Sequence, residues 1–487
     1  MGTVLESPHA SVGMGIVLFS AIVLPTEPVR RPAGRNNGIT MTIFGIKTIW
    51  RLAAAVTSAA VTLSFAASVQ ATELNIWVMT TTSQQQQDMR DLLKPYLAKN
   101  PNLRVNVTVL NWESAWNTIT AAAASGQGPD LLELGTTWVA AISSMGALES
   151  LNAQQQQEVG GGQSFYPAVW GTTHRYDDNT IYALPWYADA RAAFYRSDVF
   201  KKAGINPRDA FLNWGSFKQA MQKINGMEID GKKIAALGYP GKNDWNVVHN
   251  LAPWIWNAGG DLLSPDRRKS AINSPETLQA ITYYTSFAAE GLMPVSALEK
   301  DSMQIENGFF NGQYAVIFSG PWTLKQASTP KARGGQAETV AAHNFGVAPY
   351  PAGLKGNQTF FSGSDLAIMK SSKNKDEAWK LLSYLVSREA QVSYSKMSGM
   401  LPTRLDAAAD PALMADPHYA EFVAQIKNGR HYPSIPAWGP LESVYLKDIG
   451  NTFDIVAGVR GKYTPQAIKQ ALDATANEAN DVLEESR

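Results

Sequence analysis

A tryptophan that follows a short apolar run is the side chain best placed to contact a ligand. The run Tyr314–Phe318 is continuously apolar after a glycine-containing turn, a pattern typical of a strand covered on both faces. Ser319-Gly320-Pro321 ends the strand, because glycine frees the backbone while proline removes a donor and fixes φ. Trp322 therefore follows a strand end, where ligands bind in open α/β sheets. The indole is either a stacking platform or a core residue, and this segment leaves both open.

Aromatic side chains are frequent in the chain, whereas thiols are absent. The sequence contains 14 Trp and 17 Tyr, and such rings suit contact with a neutral, hydroxylated ligand, although most rings in any protein pack in cores. The lack of cysteine excludes disulfides, a thiol nucleophile and any Cys-based metal or redox centre. A formal net charge of zero argues against a nucleic-acid binder with a broad basic face.

The common signatures of catalysis and metal binding are missing from the sequence. It has no HExxH, G-x-S-x-G or Walker A motif, and no GxGxxG between a strand and a helix. Its six histidines are dispersed, which gives no metal signature. Asp189 with Glu113 or Asp365 could form the carboxylate pair of a glycoside hydrolase, but no spacing supports them as acid and nucleophile. We predict no enzyme activity, no cofactor and no metal site.

The N-terminal segment has the pattern of a secretory signal. Lys47 and Arg51 precede an Ala-rich apolar run over residues 52–67, and small residues end the segment at Ala71. We predict a signal peptide at 41–71 after an extension of doubtful role at 1–40, with Met1 or Met41 as the natural start. Residues 1–71 together hold five of the 42 basic and two of the 42 acidic residues, so their removal leaves a mature chain of net charge −3. With no cysteine for a lipid anchor, the expected location is the bacterial periplasm.

Strand and helix patterns alternate regularly after the leader. Branched and aromatic residues predict strands at Glu73–Met79, Leu103–Leu110 and Pro129–Gly135, with helical stretches between them. Thr464-Pro465 is a suitable N-cap and first position for a C-terminal helix. Because regular β-α-β-α spacing indicates parallel strands with helical crossovers, the predicted fold class is α/β.

Six stretches of the chain, taken together, resemble a known family. They are PDLLELGTTWVAAISSMGAL (129–148), YALPWYADARAAFYRSDVFKKAGI (182–205), NWGSFKQAMQKI (213–224), FFNGQYAVIFSGPW (309–322), DLAIMKSSKNKDEAWKLLSYLVSREAQ (365–391) and GMLPTR (399–404). Their content and order resemble the family 1 extracellular solute-binding proteins of carbohydrate ABC importers, which include the maltose-binding proteins. The resemblance covers essentially the whole mature chain.

The resemblance implies a two-lobed periplasmic-binding-protein fold of type II-like organisation. Each lobe is expected to be a mostly parallel sheet flanked by helices, with the ligand in the cleft and closure by hinge motion. Each lobe is also expected to be discontinuous: 72–187 plus 349–392 for the N-terminal lobe, and 188–348 plus 393–487 for the C-terminal lobe. Leu184–Tyr195 and Phe345–Pro351 are the expected crossing segments.

Two threonine-containing loops follow predicted strands and are expected to face the cleft. They are Thr80–Thr82 and Gly135–Trp138, whose hydroxyl groups can donate to or accept from a small solute. In the maltose-binding members the matching loops are charged, whereas here they are uncharged, which argues against a maltodextrin-type ligand. Helix capping is the alternative role for these threonines.

The resemblance also assigns a carboxylate, an arginine and two indoles to the cleft. Asp189 can accept from two adjacent sugar hydroxyls, and Arg191 offers a planar fork of donors that also recognises carboxylate or sulfonate groups. These two residues could equally form an ion pair that braces the hinge, and both roles can hold together. Trp322 and Trp438 align with the two indoles that stack on sugar faces in the family.

Asp365 and Arg404 have two open roles each. Asp365 either binds a hydroxyl or caps a neighbouring helix, and Arg404 either contacts ligand or braces the lobes. The full set of candidate ligand-binding residues is Thr81, Thr82, Glu113, Thr137, Trp138, Asp189, Arg191, Trp245, Gly320, Trp322, Gly363, Ser364, Asp365, Arg404 and Trp438.

The combined prediction is a periplasmic binding protein that captures a disaccharide or other small glycoside and delivers it to the permease subunits of an ABC transporter. A polyol or an anionic glycoside, such as a sugar acid or a sulfonated or phosphorylated sugar, is the alternative ligand, and a glycoside hydrolase is the remote alternative function. We expect a monomer that binds no nucleic acid.

Overall fold

The computed structural model describes residues 71–229, 231–241 and 244–486. The extension at 1–40 and the predicted signal peptide up to residue 70 lie outside the described residues. The strands of the described part are β1 Thr72–Met79, β2 Leu103–Leu110, β3 Leu131–Gly135, β4 Leu184–Ala190, β5 Ala192–Arg196, β6 Glu228–Ile229, β7 Lys232–Lys233, β8 Ala235–Gly238, β9 Tyr314–Ser319, β10 Phe345–Ala348, β11 Thr359–Ile368, β12 Leu401–Pro402 and β13 Gly429–Arg430.

Helices of four to 21 residues surround these strands. Those that precede β10 are Gln85–Lys99, Trp112–Ser125, Val139–Ser144, Ala153–Glu158, Pro167–Trp170, Ser197–Lys202, Pro207–Ala210, Trp214–Ile224, Asn246–Ala258, Pro275–Ala289, Ser302–Phe310, Trp322–Ser328 and Val340–His343. Those that follow it are Lys375–Leu385, Arg388–Ser398, Leu405–Ala408, Pro411–Met414, Pro417–Gln425, Trp438–Val456 and Pro465–Glu485. In this part of the chain, no helix combines the length and apolarity needed to cross a bilayer.

The predicted caps and apolar stripes form the expected helices. Thr464 caps the last helix by accepting a hydrogen bond from the backbone N–H of Ala467 at 3.1 Å, and Pro465 occupies the first position. In the helix Lys375–Leu385, Ala378, Leu381, Leu382 and Leu385 form the buried face, because residues three and four apart share one side of a helix. Local sequence signals therefore suffice for these elements.

The first lobe is built on a seven-stranded sheet of order β12-β4-β11-β3-β1-β2, with β13 paired to the start of β11. Strand β1 pairs in parallel with β2 and β3, whereas β11 pairs antiparallel with β3 and β4. Every residue of β3 and β4 is buried, as expected for strands covered on both faces. The edge strand β2 instead alternates between more and less exposed residues.

The second lobe is built on a four-stranded sheet of order β10-β5-β9-β8. Strand β8 pairs in parallel with β9, and the pairs β5–β9 and β5–β10 are antiparallel. The two-lobed α/β fold is as predicted, while both sheets are mixed. The predicted strand Tyr314–Phe318 is β9, which ends directly before the helix that begins at Trp322.

Crossing segments meet where the two sheets join. The chain leaves β4 at Ala190 and enters β5 at Ala192, so that Arg191 lies at the first crossing. The return segment joins it there, since the N–H of Arg191 donates to the carbonyl of Phe360 at 3.1 Å. The Thr359 hydroxyl donates to the carbonyl of Arg191 at 2.5 Å. These bonds fix Arg191 between the lobes.

The expected lobe boundary after residue 392 is corrected by strand pairing. Strand β12 pairs with β4, which keeps it in the first lobe, and Arg404 forms a bridge to Phe165 of that lobe. The chain joins the second lobe later, at the helix Pro417–Gln425, where Phe422 lies 5.8 Å from the Phe194 ring. Strand β12 is two residues long, too short for a sequence pattern to assign it to a sheet.

Candidate ligand-binding cleft

A cleft of about 700 Å³ lies between the lobes and is lined by side chains of both. The first lobe contributes residues 80–84 and 135–138 after strand ends, 111–113 at a helix start, and 362–364 within β11. The second lobe contributes residues 244–246 and 301–303, together with Trp322 and Glu442. Asp189 and Arg191 line the cleft from the crossing segment.

A buried carboxylate on the sheet holds the start of the loop Thr80–Ser83 through hydrogen bonds. Glu133, on the central strand β3, accepts from the N–H of Met79 at 2.6 Å and from the Tyr187 hydroxyl at 2.5 Å. The Tyr187 oxygen is also 3.4 Å from the Thr81 hydroxyl. Burial raises the pKa of Glu133, while hydrogen bonds from Tyr187 and Met79 oppose that shift. Thr82 donates to Asp88 at 2.5 Å.

The loop Gly135–Trp138 begins a group of tryptophans at one end of the cleft. The Trp138 ring lies 5.5 Å from the Trp112 ring of its own lobe and 6.1 Å from Trp245 of the second lobe, with the Trp245 contact edge to face. Trp138 itself is buried, while Trp112 is half-buried. The exposed Glu113 lies at the same end. The three rings make this wall from both lobes.

Asp189 and Arg191 form a buried ion pair whose remaining atoms are unpartnered. Arg191 Nη2 donates to Asp189 Oδ2 at 2.7 Å. Asp189 Oδ1 and Arg191 Nε and Nη1 have no hydrogen-bond partner in the described part of the chain. Burial raises the pKa of Asp189, while the Arg191 charge opposes that shift. The pair therefore leaves one acceptor and two donors at the cleft, and buried polar groups without partners are rare in folded proteins.

Trp322 is held at the cleft wall by its indole nitrogen and by a cation. Its Nε1 donates to Glu306 at 2.7 Å, and Glu306 also accepts from Ser319 at 2.6 Å. The guanidinium of Arg191 lies over the ring, 4.7 Å from its centroid. A Cβ on Gly320 would lie 1.9 Å from this ring, so Gly320 acts by making room for the indole. The ring is half-buried at the cleft.

Trp438 does not line the cleft, which corrects its expected role as the second platform. Its side chain is 0% exposed, it stacks on Tyr432 at 4.5 Å, and it packs 6.3 Å from Tyr445. The indoles that the described part of the second lobe does present to the cleft are Trp322 and Trp245. The prolines around Trp438 indicate a stiff loop, but they do not determine whether the ring points to the cleft or to the core.

Asp365, Arg404 and Gly320 also lie outside the cleft lining. Asp365 is buried in β11 and accepts from the Thr172 hydroxyl at 2.9 Å. Arg404 pairs with Asp406 at 2.9 Å and donates to the carbonyl of Val159 at 2.9 Å. Of the two roles open to Arg404, bracing within the first lobe is the one observed. Adjacent side chains of β11 point to opposite faces of the sheet, so Ser364 faces the cleft and its neighbour Asp365 does not.

The other predicted residues do reach the cleft. They are Thr81, Thr82, Glu113, Thr137, Trp138, Asp189, Arg191, Trp245, Trp322, Gly363 and Ser364. Gly363 adopts φ +139°, and a Cβ there would lie 2.0 Å from the carbonyl oxygen of Tyr187. Glycine is therefore required where β11 bends next to the site.

Sequence reasoning missed several cleft residues. Glu442, His249 and Glu306 line the cleft from helices of the second lobe. A signal existed for Glu442, since it lies four residues after Trp438 on a predicted ligand-binding segment and so one helical turn away. No local pattern marks His249 or Glu306, because their positions depend on how distant elements pack.

The two lobes touch each other on both flanks of the cleft. Ser83 donates to the carbonyl of Arg333 at 2.7 Å, and Lys325 Nζ donates to the carbonyl of Lys396 at 3.1 Å. On the other flank, the Trp138–Trp245 contact joins the lobes. The structure thus describes the lobes in a closed arrangement.

Comparison with known proteins agrees with this architecture. The family model "Bacterial extracellular solute-binding protein" matches residues 81–392. The chain is 25% identical over 381 residues to the diacetylchitobiose-binding protein of Streptomyces coelicolor, covering 76% of this chain and 82% of that protein. It is 23% identical over 397 residues to the maltotriose-binding protein of Pyrococcus abyssi, covering 79% of each.

A solved structure shows the same fold over nearly its full length. The solute-binding protein of Thermotoga lettingae bound with α-D-tagatose superposes with a TM-score of 0.72 at 25% identity, covering 84% of this chain and 99% of that one. The chain belongs to the bacterial extracellular solute-binding proteins.

Proposed function

We propose that this protein captures a neutral carbohydrate of two or more rings in the interlobe cleft and delivers it to the permease subunits of an ABC importer. The observation that carries the proposal is one buried constellation: the Trp322 ring beside the unpartnered Asp189 Oδ1 and Arg191 Nε and Nη1. A sugar ring offers an apolar C–H face to the indole and hydroxyl groups that both donate and accept. A carbohydrate can therefore contact the Trp322 ring and also supply hydrogen-bond partners to the unpartnered atoms of Asp189 and Arg191.

The size and aromatic content of the cleft support a ligand of more than one ring. Its volume of about 700 Å³ falls in the range of about 300–1,000 Å³ typical of sites for drug-sized ligands. Trp322 lies on one wall, and the group of Trp112, Trp138 and Trp245 forms another. Two separate aromatic walls suit two sugar rings.

The charge of the cleft favours a neutral ligand over an anionic one. Arg191 already pairs with Asp189 at 2.7 Å. Acidic side chains outnumber lysines and arginines among the described lining residues even when the fully buried Glu442 is left out. The acidic residues are Asp88, Glu113, Asp189, Asp244, Asp301 and Glu306, and the basic residues are Arg191, Lys325, Arg333 and Lys396. A sugar acid or sulfonated sugar would meet this excess of negative charge.

Family relatives support the carbohydrate class and the transport role. Relatives named for diacetylchitobiose and maltotriose binding match over three quarters or more of this chain. We propose export through the leader at 41–71 and action as a periplasmic monomer. Capture requires contacts from both lobes, because a ligand shifts the open–closed equilibrium only by its differential affinity for the two states.

The test is a thermal-shift screen of the mature protein against mono-, di- and trisaccharides, polyols, sugar acids and sulfonated sugars. We expect a neutral di- or trisaccharide to raise Tm with ligand concentration as mass action requires. The proposal fails if no carbohydrate stabilises the protein. Chromatography of the incubated sugars completes the test, since cleavage of a glycan would instead indicate a glycoside hydrolase.

A matched pair of variants locates the binding site. Trp322→Ala should weaken binding at least tenfold with a change in apo Tm of a few degrees, because its ring lines the cleft. Trp379→Ala is the control, since this half-buried indole donates to Glu158 at 2.9 Å on the first lobe, away from the cleft. A large loss of apo stability with unchanged affinity in Trp322→Ala would show that this indole is a core residue and does not bind ligand.

A further inference from the structure

A buried carboxyl group that lacks a hydrogen bond of normal geometry lines the cleft. Glu442, on the helix Trp438–Val456 of the second lobe, is 1% exposed yet lines the cleft. Neither of its oxygens makes a hydrogen bond of normal geometry to any residue that the structure describes. An unpaired buried polar group costs free energy that a ligand can recover by completing it.

The groups around Glu442 leave it without a cationic partner. From the helix Asn246–Ala258, His249 Nδ1 lies 3.7 Å from Glu442 Oε1 and 3.1 Å from the Tyr432 hydroxyl. Burial, together with the Arg191 charge, holds the pKa of His249 well below its usual range, so that ring is neutral. Arg191 pairs with Asp189. The loop residue Thr137 approaches Glu442 from the first lobe.

We propose that Glu442 is a specificity-determining residue that binds the sugar as a neutral carboxylic acid, donating one hydrogen bond to a ligand oxygen and accepting one from a ligand hydroxyl. The proposal rests on the carbohydrate-binding function argued above and adds a residue, a protonation state and a selectivity to it. Because a neutral acid both donates and accepts, it matches a hydroxylated ring. An ammonium group on the ligand would require the ionised form instead.

The protonation state follows from the surroundings. Burial raises the pKa of Glu442 to about 8, and the nearby Thr137 hydroxyl and Trp438 indole oppose that shift in part. Ionisation would leave a buried negative charge without a compensating cation, because Arg191 already pairs with Asp189 and the neighbouring His249 ring is neutral. At pH 7 the acid therefore keeps its proton.

Two substitutions separate the neutral acid from its ionised form. Glu442→Gln keeps a donor and an acceptor but cannot ionise, whereas Glu442→Leu removes both. Titration calorimetry with the tightest-binding neutral sugar should give a Kd within threefold of wild type for Glu442→Gln and at least tenfold weaker for Glu442→Leu. Wild-type Kd should rise about tenfold between pH 7 and pH 9, following a group with a pKa near 8, while that of Glu442→Gln stays flat.

The remaining outcomes contradict the proposal. Equal Kd for wild type and Glu442→Leu would show that Glu442 does not contact the ligand. Affinity that is lost in Glu442→Gln, or that rises with pH, would show an ionised carboxylate. Glu290→Gln is the control, because Glu290 lies outside the cleft in a pair with Lys218, and apo Tm of each variant verifies folding. Failure of wild type to bind any sugar refutes the proposed function, and this inference with it, before a variant is measured.

Discussion

Buried carboxylates are the residues of this protein whose charge state depends most on their surroundings. Glu133, Glu306 and Asp365 are all at least 97% buried, and burial raises the pKa of each. Glu133 lies beneath the cleft and accepts a hydrogen bond from the N–H of Met79, whereas Glu306 lines the cleft and accepts one from the Trp322 indole. We infer that these two position the cleft wall, while Asp365 has a role in the first lobe alone.

The unfolding free energy of Asp365→Asn should increase relative to that of wild type as pH rises. Burial raises the pKa of Asp365 to about 8, against an ordinary value of 3.8. A raised folded-state pKa means that stability is fully present below the unfolded pKa and is lost as pH rises through the folded one. The wild type should therefore lose up to about 1.4 kcal/mol of unfolding free energy per pH unit between about pH 4 and pH 8 relative to the variant.

Urea denaturation at pH 5, 6.5 and 8 measures this difference. The exposed Asp209→Asn serves as the control and should give a constant offset across the three pH values. A constant offset in Asp365→Asn as well would show that Asp365 has an ordinary pKa in the folded protein.

Strand β11 shows how one element can set the geometry of a site. It pairs with β3 and β4, and its register with β4 shifts between Ser364 and Asp365. Gly363, just before the shift, has the positive φ that places Ser364 toward the cleft and Asp365 toward Thr172. Ser364, before the register shift, therefore lines the cleft, whereas Asp365, after it, does not.

Gly363→Ala should destabilise the protein far more than an ordinary glycine substitution. The new Cβ would lie 2.0 Å from the carbonyl oxygen of Tyr187, so the strand pair must separate. Gly146→Ala is the matched control, since Gly146 also has positive φ, +71°, but an added Cβ there meets no atom of the described chain within 4 Å. We expect about 1 kcal/mol for the control and about 3 kcal/mol or more for Gly363→Ala.

Urea unfolding measured by circular dichroism gives both values. Similar losses in the two variants would show that positive φ alone explains the requirement for glycine at position 363. A weaker ligand affinity should accompany the loss in Gly363→Ala, because the substituted strand carries cleft residues.

Contacts far from the crossing segments join the two lobes of the molecule. Ser83 of the first lobe donates to Arg333 of the second at 2.7 Å, and a Cβ on the adjacent Gly334 would lie 2.9 Å from Ser83 Cβ. The crossing segments instead join the lobes at Arg191 and Phe360. Motion about that junction would open the cleft at the Ser83 side.

A cysteine pair at Ser83 and Gly334 should lock the lobes together. Disulfides need a Cβ–Cβ distance of about 3.8 Å, and a cysteine at 334 must also accept the φ of +81° that Gly334 has, so the loop must relax as the bond forms. The chain has no cysteine that could compete. The oxidised double variant should take up ligand at least tenfold more slowly in stopped-flow fluorescence, and reduction should restore the wild-type rate. Each single variant is a control. Unchanged uptake in the oxidised protein would show that the ligand enters without opening at this flank.

Sequence alone determined what depends on local order: the strand β9 and the glycine and proline after it, the capped C-terminal helix, the α/β class and the family resemblance. Apolar runs also placed Trp322 and the threonine loops after strand ends, while the family resemblance placed Asp189 in a crossing segment, and the structure has all of them at the cleft. Tertiary structure decided what depends on distant packing. It buried Trp438 against Tyr432, turned Asp365 away from the cleft, and brought Glu442 into it. Such outcomes depend on the register and crossing of elements far apart in the chain, which no local pattern records.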